Sequence, residues 1–174
     1  MKDGFLKAAA LSPALRVADC AYNTQQILAA LRKAAARGVK LAVFPEFCLT
    51  GYTCGDLFLQ RTLQQGALES LQTLLDASRE LDVVALVGLP LLVRGKLYNC
   101  AAVLCNGELL GLVPKMHLPN YGEFYEKRHF IPGMREPECI TLAGQETLIG
   151  TNLLFACKQM PAFVLAAEVC EDLW

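Results

Sequence analysis

Nowhere along the 174 residues do about eighteen apolar side chains run together, so neither a membrane-spanning helix nor a membrane partner is expected. The opening Met1-Lys2-Asp3-Gly4-Phe5-Leu6-Lys7 lacks a long apolar stretch leading to a small-residue cleavage site, so no secretory leader is expected. An excess of one charge is missing too. The 16 Lys plus Arg stand against 17 Asp plus Glu with no basic run or stripe, which disfavours counterion-driven binding to nucleic acid. Histidine is scarce. Neither His117 nor His129 has a partner at metal-ligand spacing, so no metal site is expected and both read as loop residues. The eight cysteines (Cys20, Cys48, Cys54, Cys100, Cys105, Cys139, Cys157 and Cys170) form no CxxC pair and no metal-finger spacing. Several, such as Cys100 and Cys105, sit in apolar strand-like runs, where a reduced thiol packs as a small hydrophobe. With no leader in view, they predict a reducing, cytoplasmic setting.

What the chain does have is apolar bulk: 54% of residues are hydrophobic and 19% charged, the balance of a folded, core-rich protein of one domain. A chain this apolar and this near neutral favours hiding part of its surface in an assembly, here a homo-oligomer. Leu6 to Ala10 reads as a short buried strand. From Asn23 to Arg37, Ile27, Leu28, Leu31, Ala34 and Ala35 recur at helical spacing, with Asn23 and Gln26 resembling a capping box and Gly38 as the stop. Leu41 to Phe44 reads as a buried strand ended by Pro45. Leu68, Leu71, Leu74 and Leu75 mark a second helix closing near Leu81, and Val83 to Leu89 is a strand covered on both faces. Leu97 to Cys105 and Glu108 to Val113 flank Asn106-Gly107, a strong hairpin signal. Residues 114–137 read as a long functional loop, followed by strand candidates at Thr147 to Cys157 and Phe163 to Val169. Helices alternating with strands and hairpins predict an α/β layered fold with a mixed sheet. The last strand candidate ends close to Trp174 and would leave an exposed edge, so further chain or a partner is expected to cover it.

Chemistry concentrates at three strand ends. Phe44-Pro45-Glu46-Phe47 sets a carboxylate after a buried strand, Val113-Pro114-Lys115-Met116 an amine, and Glu168-Val169-Cys170-Glu171-Asp172 a thiol. Sites in open α/β sheets gather just beyond strand ends, and these three groups together would make a base, an oxyanion stabiliser and a nucleophile. Taken singly, a strand-end Glu or Lys is usually solvated and a strand-end Cys inert. Spacing alone does not bring the three together.

The same segments, in the same order, resemble the Glu-Lys-Cys signature of the nitrilase, or carbon-nitrogen hydrolase, superfamily. Leu49-Thr50-Gly51-Tyr52-Thr53-Cys54-Gly55-Asp56-Leu57-Phe58, the stretch from Lys115 to Glu126, and Glu168 to Trp174 are similar to the glutaminase domains of glutamine-dependent NAD synthetases. The resemblance covers essentially the whole chain. It implies a four-layer αββα sandwich of the nitrilase type, present over residues 1–174 as an N-terminal portion. It also implies that Cys170 attacks the side-chain amide of L-glutamine, that Glu46 moves the proton, and that Lys115 steadies the oxyanion. Glu123 resembles the second glutamate that some members place beside the triad, with Glu126 as its rival. Tyr121 matches a tyrosine that contacts glutamine, or else anchors the loop. A complete domain of this family continues past its nucleophile. The SGGxDS-type phosphate loop of the synthetase half has no counterpart here, so ATP, magnesium and deamido-NAD would belong to a synthetase domain of the parent chain. Two other readings stay open: a stand-alone amidase acting on another small amide, and an inactive fragment that only folds or assembles.

Overall fold

The computed structural model describes residues 4–173. Met1, Lys2, Asp3 and Trp174, the last residue of the third family-like segment, lie outside the described residues. Strand β1 (Ala8–Ala10) leads to helix α1 (Cys20–Ala36), then β2 (Leu41–Val43), helix α2 (Arg61–Ser78) and the long strands β3 (Val84–Val93), β4 (Lys96–Cys105) and β5 (Glu108–Pro114). A one-turn helix, α3 (Glu126–His129), precedes β6 (Glu138–Leu142), β7 (Gln145–Ile149) and the short pair β8 (Phe155–Ala156) and β9 (Val164–Leu165). The first seven strands form one mixed sheet in the order β1-β2-β3-β4-β5-β7-β6.

Period-two alternation explains how β3 serves two layers. Ala85, Val87, Leu89 and Leu91 join Ile27 and Leu31 of α1 and Leu71, Leu74 and Leu75 of α2 in one core. Fully burying each of those leucines is worth roughly 1.5–3 kcal/mol. Leu86 points the other way and packs with Val103 and Val113 against Leu153, Phe155, Leu165 and Ala167. The β8–β9 hairpin therefore lies across the sheet from the helices, where a second sheet layer begins.

Several boundaries differ from the sequence expectation. Helix α1 starts at Cys20, capped by the Asp19 carboxylate accepting from the Tyr22 amide at 3.0 Å. Asn23 is buried instead, accepting from the Arg16 amide (2.7 Å) and donating to the carbonyls of Arg16 (2.8 Å) and Leu49 (3.2 Å). Its polar side chain staples the β1–α1 connection to the turn after β2. The expected Thr147 to Cys157 strand is two strands, because the chain leaves the main sheet at Gly150, whose amide donates to Leu112 O at 3.0 Å. Strand β6 lay outside the expectation, and the last strand shortens to Val164–Leu165.

Candidate active site

Strands β2, β3 and β5 run in the same direction, since β2 pairs parallel with β3 and two antiparallel pairings separate β3 from β5. Glu46 and Lys115 thus follow strand ends on the same edge of the sheet. Pro45, without an N–H, ends the β2 ladder, and the chain turns back through Cys48 N to Pro45 O (3.1 Å) and Gly51 N to Phe47 O (2.7 Å). Phe47 holds a φ of +52° in this turn, a conformation a bulky L-residue rarely adopts. Packing holds it there. The Phe47 ring is 1% exposed and sits 4.8 Å from the Phe58 ring and 5.1 Å from that of Phe130. On β3, Gly88 makes room for the turn: a Cβ at that position would lie 2.3 Å from Phe47 N. The Cys48 thiol also accepts from the Gly88 amide at 3.3 Å.

Lys115 follows β5, its amide bonded to Asn99 O (2.7 Å) and its carbonyl accepting from Gly133 N (2.8 Å). The whole side chain is buried at 0% exposure. Its ammonium donates to Glu46 Oε1 at 2.8 Å and to Glu126 Oε1 at 2.7 Å. Glu126 Oε1 also accepts from the Tyr52 hydroxyl at 2.7 Å, and Glu46 Oε1 accepts from the Asn99 amide group. Burial works against the Lys115 charge, but the bonds to Glu126 and Glu46 outweigh it and hold its pKa above the ordinary lysine value. Burial pushes the Glu126 carboxyl up, with Lys115 and Tyr52 offsetting only part of the shift. Tyr52 is likewise raised by burial and then by its bond to Glu126.

Cys170 is exposed and opens a single 3₁₀ turn, Cys170–Leu173, at a φ of +54°. It borders a cavity of about 110 Å³ together with Glu46, Gly88, Asn99 and Ala101. A neighbouring cavity of about 220 Å³ is walled by Phe47, Tyr52, Phe58, Glu123 and Glu126. Glu46 and Lys115 are therefore in direct contact, and Cys170 faces the same cavity as Glu46.

The loop glutamates separate. Glu123 is exposed on the rim of the larger cavity, whereas Glu126, the alternative, is the one bonded to Lys115. The difference is local: Glu126 begins α3, its amide bonds Pro119 O at 3.2 Å, and Phe130 four residues on is buried beneath it. Asp56 braces α3 from outside, accepting from Arg128 at 2.7 and 3.0 Å and contacting His129 at 2.9 Å. Those two partners hold the Asp56 carboxyl well below the usual range. Tyr121 is 62% exposed, and its hydroxyl donates to Glu171, the residue after Cys170. Nothing in the sequence marks Tyr52, within its family-like segment, or Asn99 as a partner of these carboxylates. A tyrosine in a loop and an asparagine within an apolar strand gain meaning only from what they touch.

The sequence pattern of the carbon-nitrogen hydrolase family matches residues 7–174. The chain belongs to that family. Its fold is of the nitrilase type: the glutamine-dependent NAD(+) synthetase of Cytophaga hutchinsonii superposes with a TM-score of 0.88 at 28% identity, over 96% of this chain and 28% of that one. An amidase from Nesterenkonia sp. shares the fold at a TM-score of 0.63 and 23% identity, over 83% of this chain and 54% of its own. Among curated relatives, the glutamine-dependent NAD(+) synthetase of Mycobacterium tuberculosis (strain H37Rv) is 41% identical over 171 residues. That of Rattus norvegicus is 31% identical over 165. This family member covers only 25% and 22% of their respective lengths.

Proposed function

We propose that this chain hydrolyses the side-chain amide of glutamine through a Cys170 thioester. The observation that carries the reading is the buried Lys115 gripping Glu46 and Glu126 beside the cavity that Cys170 borders. Cys170 Sγ attacks the amide carbon while Glu46 takes the thiol proton, then passes it to the departing ammonia. The two bonds to Glu46 both fall on Oε1, and among the described residues no hydrogen bond reaches Oε2, which leaves an oxygen for that proton. Lys115 has three N–H donors. Two go to the carboxylates, and one remains for the oxyanion of the tetrahedral intermediate. Water, giving a proton to the Glu46 carboxylate, then attacks the thioester; Glu46 passes that proton to the departing sulfur, and glutamate leaves with the thiol restored. Glu126, rather than Glu123, fixes the lysine, and the Tyr121 loop lies beside the substrate.

The synthetase names of the relatives extend the reading: the ammonia would serve ATP-dependent amidation of deamido-NAD by a synthetase domain of the same parent protein. ATP and magnesium would act there. Among the described residues no three His, Cys, Asp or Glu side chains gather to hold a metal ion. In the full-length protein, Cys170→Ala should abolish glutamate formation and glutamine-driven NAD synthesis while synthesis from added ammonia persists. Glutamate release by that variant at the wild-type rate would overturn the reading.

A further inference from the structure

We propose that Asp172 is a positioning residue that registers the turn bearing Cys170 against the strand end bearing Lys115. The inference rests on the proposed amide hydrolysis and adds how its two halves are aligned. Glu46, Lys115 and Glu126 are tied to one another by hydrogen bonds. Cys170 shares no such bond with them among the described residues. It sits at a positive φ in a turn whose strand, β9, ends at Leu165. Something must fix the sulfur relative to the ammonium across that gap.

Asp172 spans it. Its side chain is 12% exposed. Its carboxylate accepts from the backbone amides of the two residues that follow Lys115: Met116 N at 3.1 Å to each oxygen, and His117 N at 2.7 Å. The His117 ring adds an exposed contact at 3.1 Å. The Asp172 amide meanwhile donates to Val169 O at 3.2 Å, closing the turn on itself. One side chain thus joins the turn of residues 169–172 to the main-chain amides of Met116 and His117, the two residues that follow Lys115. Charge-assisted bonds of this kind are the stronger class of hydrogen bond. A catalytic pair displaced by about 1 Å can lose on the order of a hundredfold in rate. Asp172 itself lines neither cavity, so its removal should misalign the nucleophile without stripping a substrate contact.

The test is glutamine hydrolysis by the full-length protein carrying Asp172→Ala, Asp172→Asn or His117→Ala, with Cys170→Ala as the reference. Asp172→Ala should lower kcat by roughly ten- to a hundredfold with KM within about threefold, the mark of an interaction that matters for the reacting geometry. Asp172→Asn keeps one acceptor oxygen and should fall between it and the wild type. His117→Ala keeps the backbone donors and should retain wild-type kcat. If Asp172→Ala does not fold, Asp172→Asn decides: a kcat loss of about fivefold or more at unchanged melting temperature supports the assignment. Wild-type kcat in the folded Asp172 variants, or a loss confined to KM, overturns it. Hydrolysis by Cys170→Ala at the wild-type rate would instead sink the thioester reading, and with it the positioning role of Asp172.

Discussion

At the scale of single residues, Lys115 sets the energetics of the site. A buried ammonium with two carboxylates is stable only as a group, because removing one partner strands the others away from water. Replacing Lys115 with Met keeps the unbranched stem, one atom shorter, and deletes the charge, leaving Glu46 and Glu126 to repel each other. Lys115→Met should cost about 3–5 kcal/mol of stability. Under the proposed mechanism it should also cost roughly 10²–10³ in rate. Urea unfolding and glutamate release measure the two losses separately, and a variant as stable as the wild type would show that the three charges are not coupled. Glu46, Lys115 and Cys170 were readable as candidates because each stands just past an apolar run that ends in a clear break. Glu126 was harder to pick from its neighbours. It lies three positions after Glu123 in one polar loop, and only the one-turn helix that starts at Glu126 turns the later carboxylate inward. Asn99 could not be read as a site residue at all, since its contact with Glu46 spans 53 positions of sequence.

Secondary-structure elements were legible in proportion to how far their pattern depends on neighbours in sequence. Asn106-Gly107 gave a hairpin because both residues accept positive φ, here +51° and +81°, and β4 and β5 pair across it. Helix α1 was found by its apolar face, yet its start shifted to Asp19 because Asn23 was needed as a buried staple. Strand β6 is a five-residue run in which Glu138, Ile140 and Leu142 are half-buried and Cys139 and Thr141 exposed, too short to stand out in sequence, and its pairing with β7 comes from the turn at Ala143 and Gly144. Contacts between elements carry the site. One is Gly88 of β3 against the Glu46–Phe47 peptide, where a methyl group would meet backbone rather than a flexible side chain. Gly88→Ala should therefore push the turn off the sheet, costing about 1–3 kcal/mol as overpacking does. Amide hydrolysis should fall with it, because Glu46 moves with Phe47. A thermal melt and a rate measured well below the melting temperature check both, and wild-type values for each would mean the turn yields freely.

Across the whole molecule, both faces of the central sheet are engaged, and the reduced thiols buried around its layers give the fold a shared sensitivity to alkali. No disulfide ties the described residues together; all eight cysteines are free. Burial, with a smaller contribution from Cys54, raises the Cys20 thiol from its ordinary 9.0 to about 11. Cys48 is raised to about 12, again by burial, with its bond to Gly88 only partly offsetting that. Cys100 is raised further in the same direction by burial alone. A group whose pKa is higher in the folded state contributes stability that is fully present below its unfolded value and is lost as pH rises through the folded one. For these thiols the loss begins near pH 9, where the unfolded chain starts to release protons that the folded chain keeps. For Cys48 it continues to about pH 12. Each such thiol contributes at most about 1.4 kcal/mol per pH unit within its window. Lys115, also raised, adds to the same slope only at the upper end of the range. The urea midpoint should thus stay level between pH 7 and 8.5 and fall steeply from pH 9 to 10.5. Cys48→Ala should begin lower, having lost a packed side chain, but descend less steeply over that interval. Parallel wild-type and Cys48→Ala curves would show that this thiol does not stay protonated in the folded core.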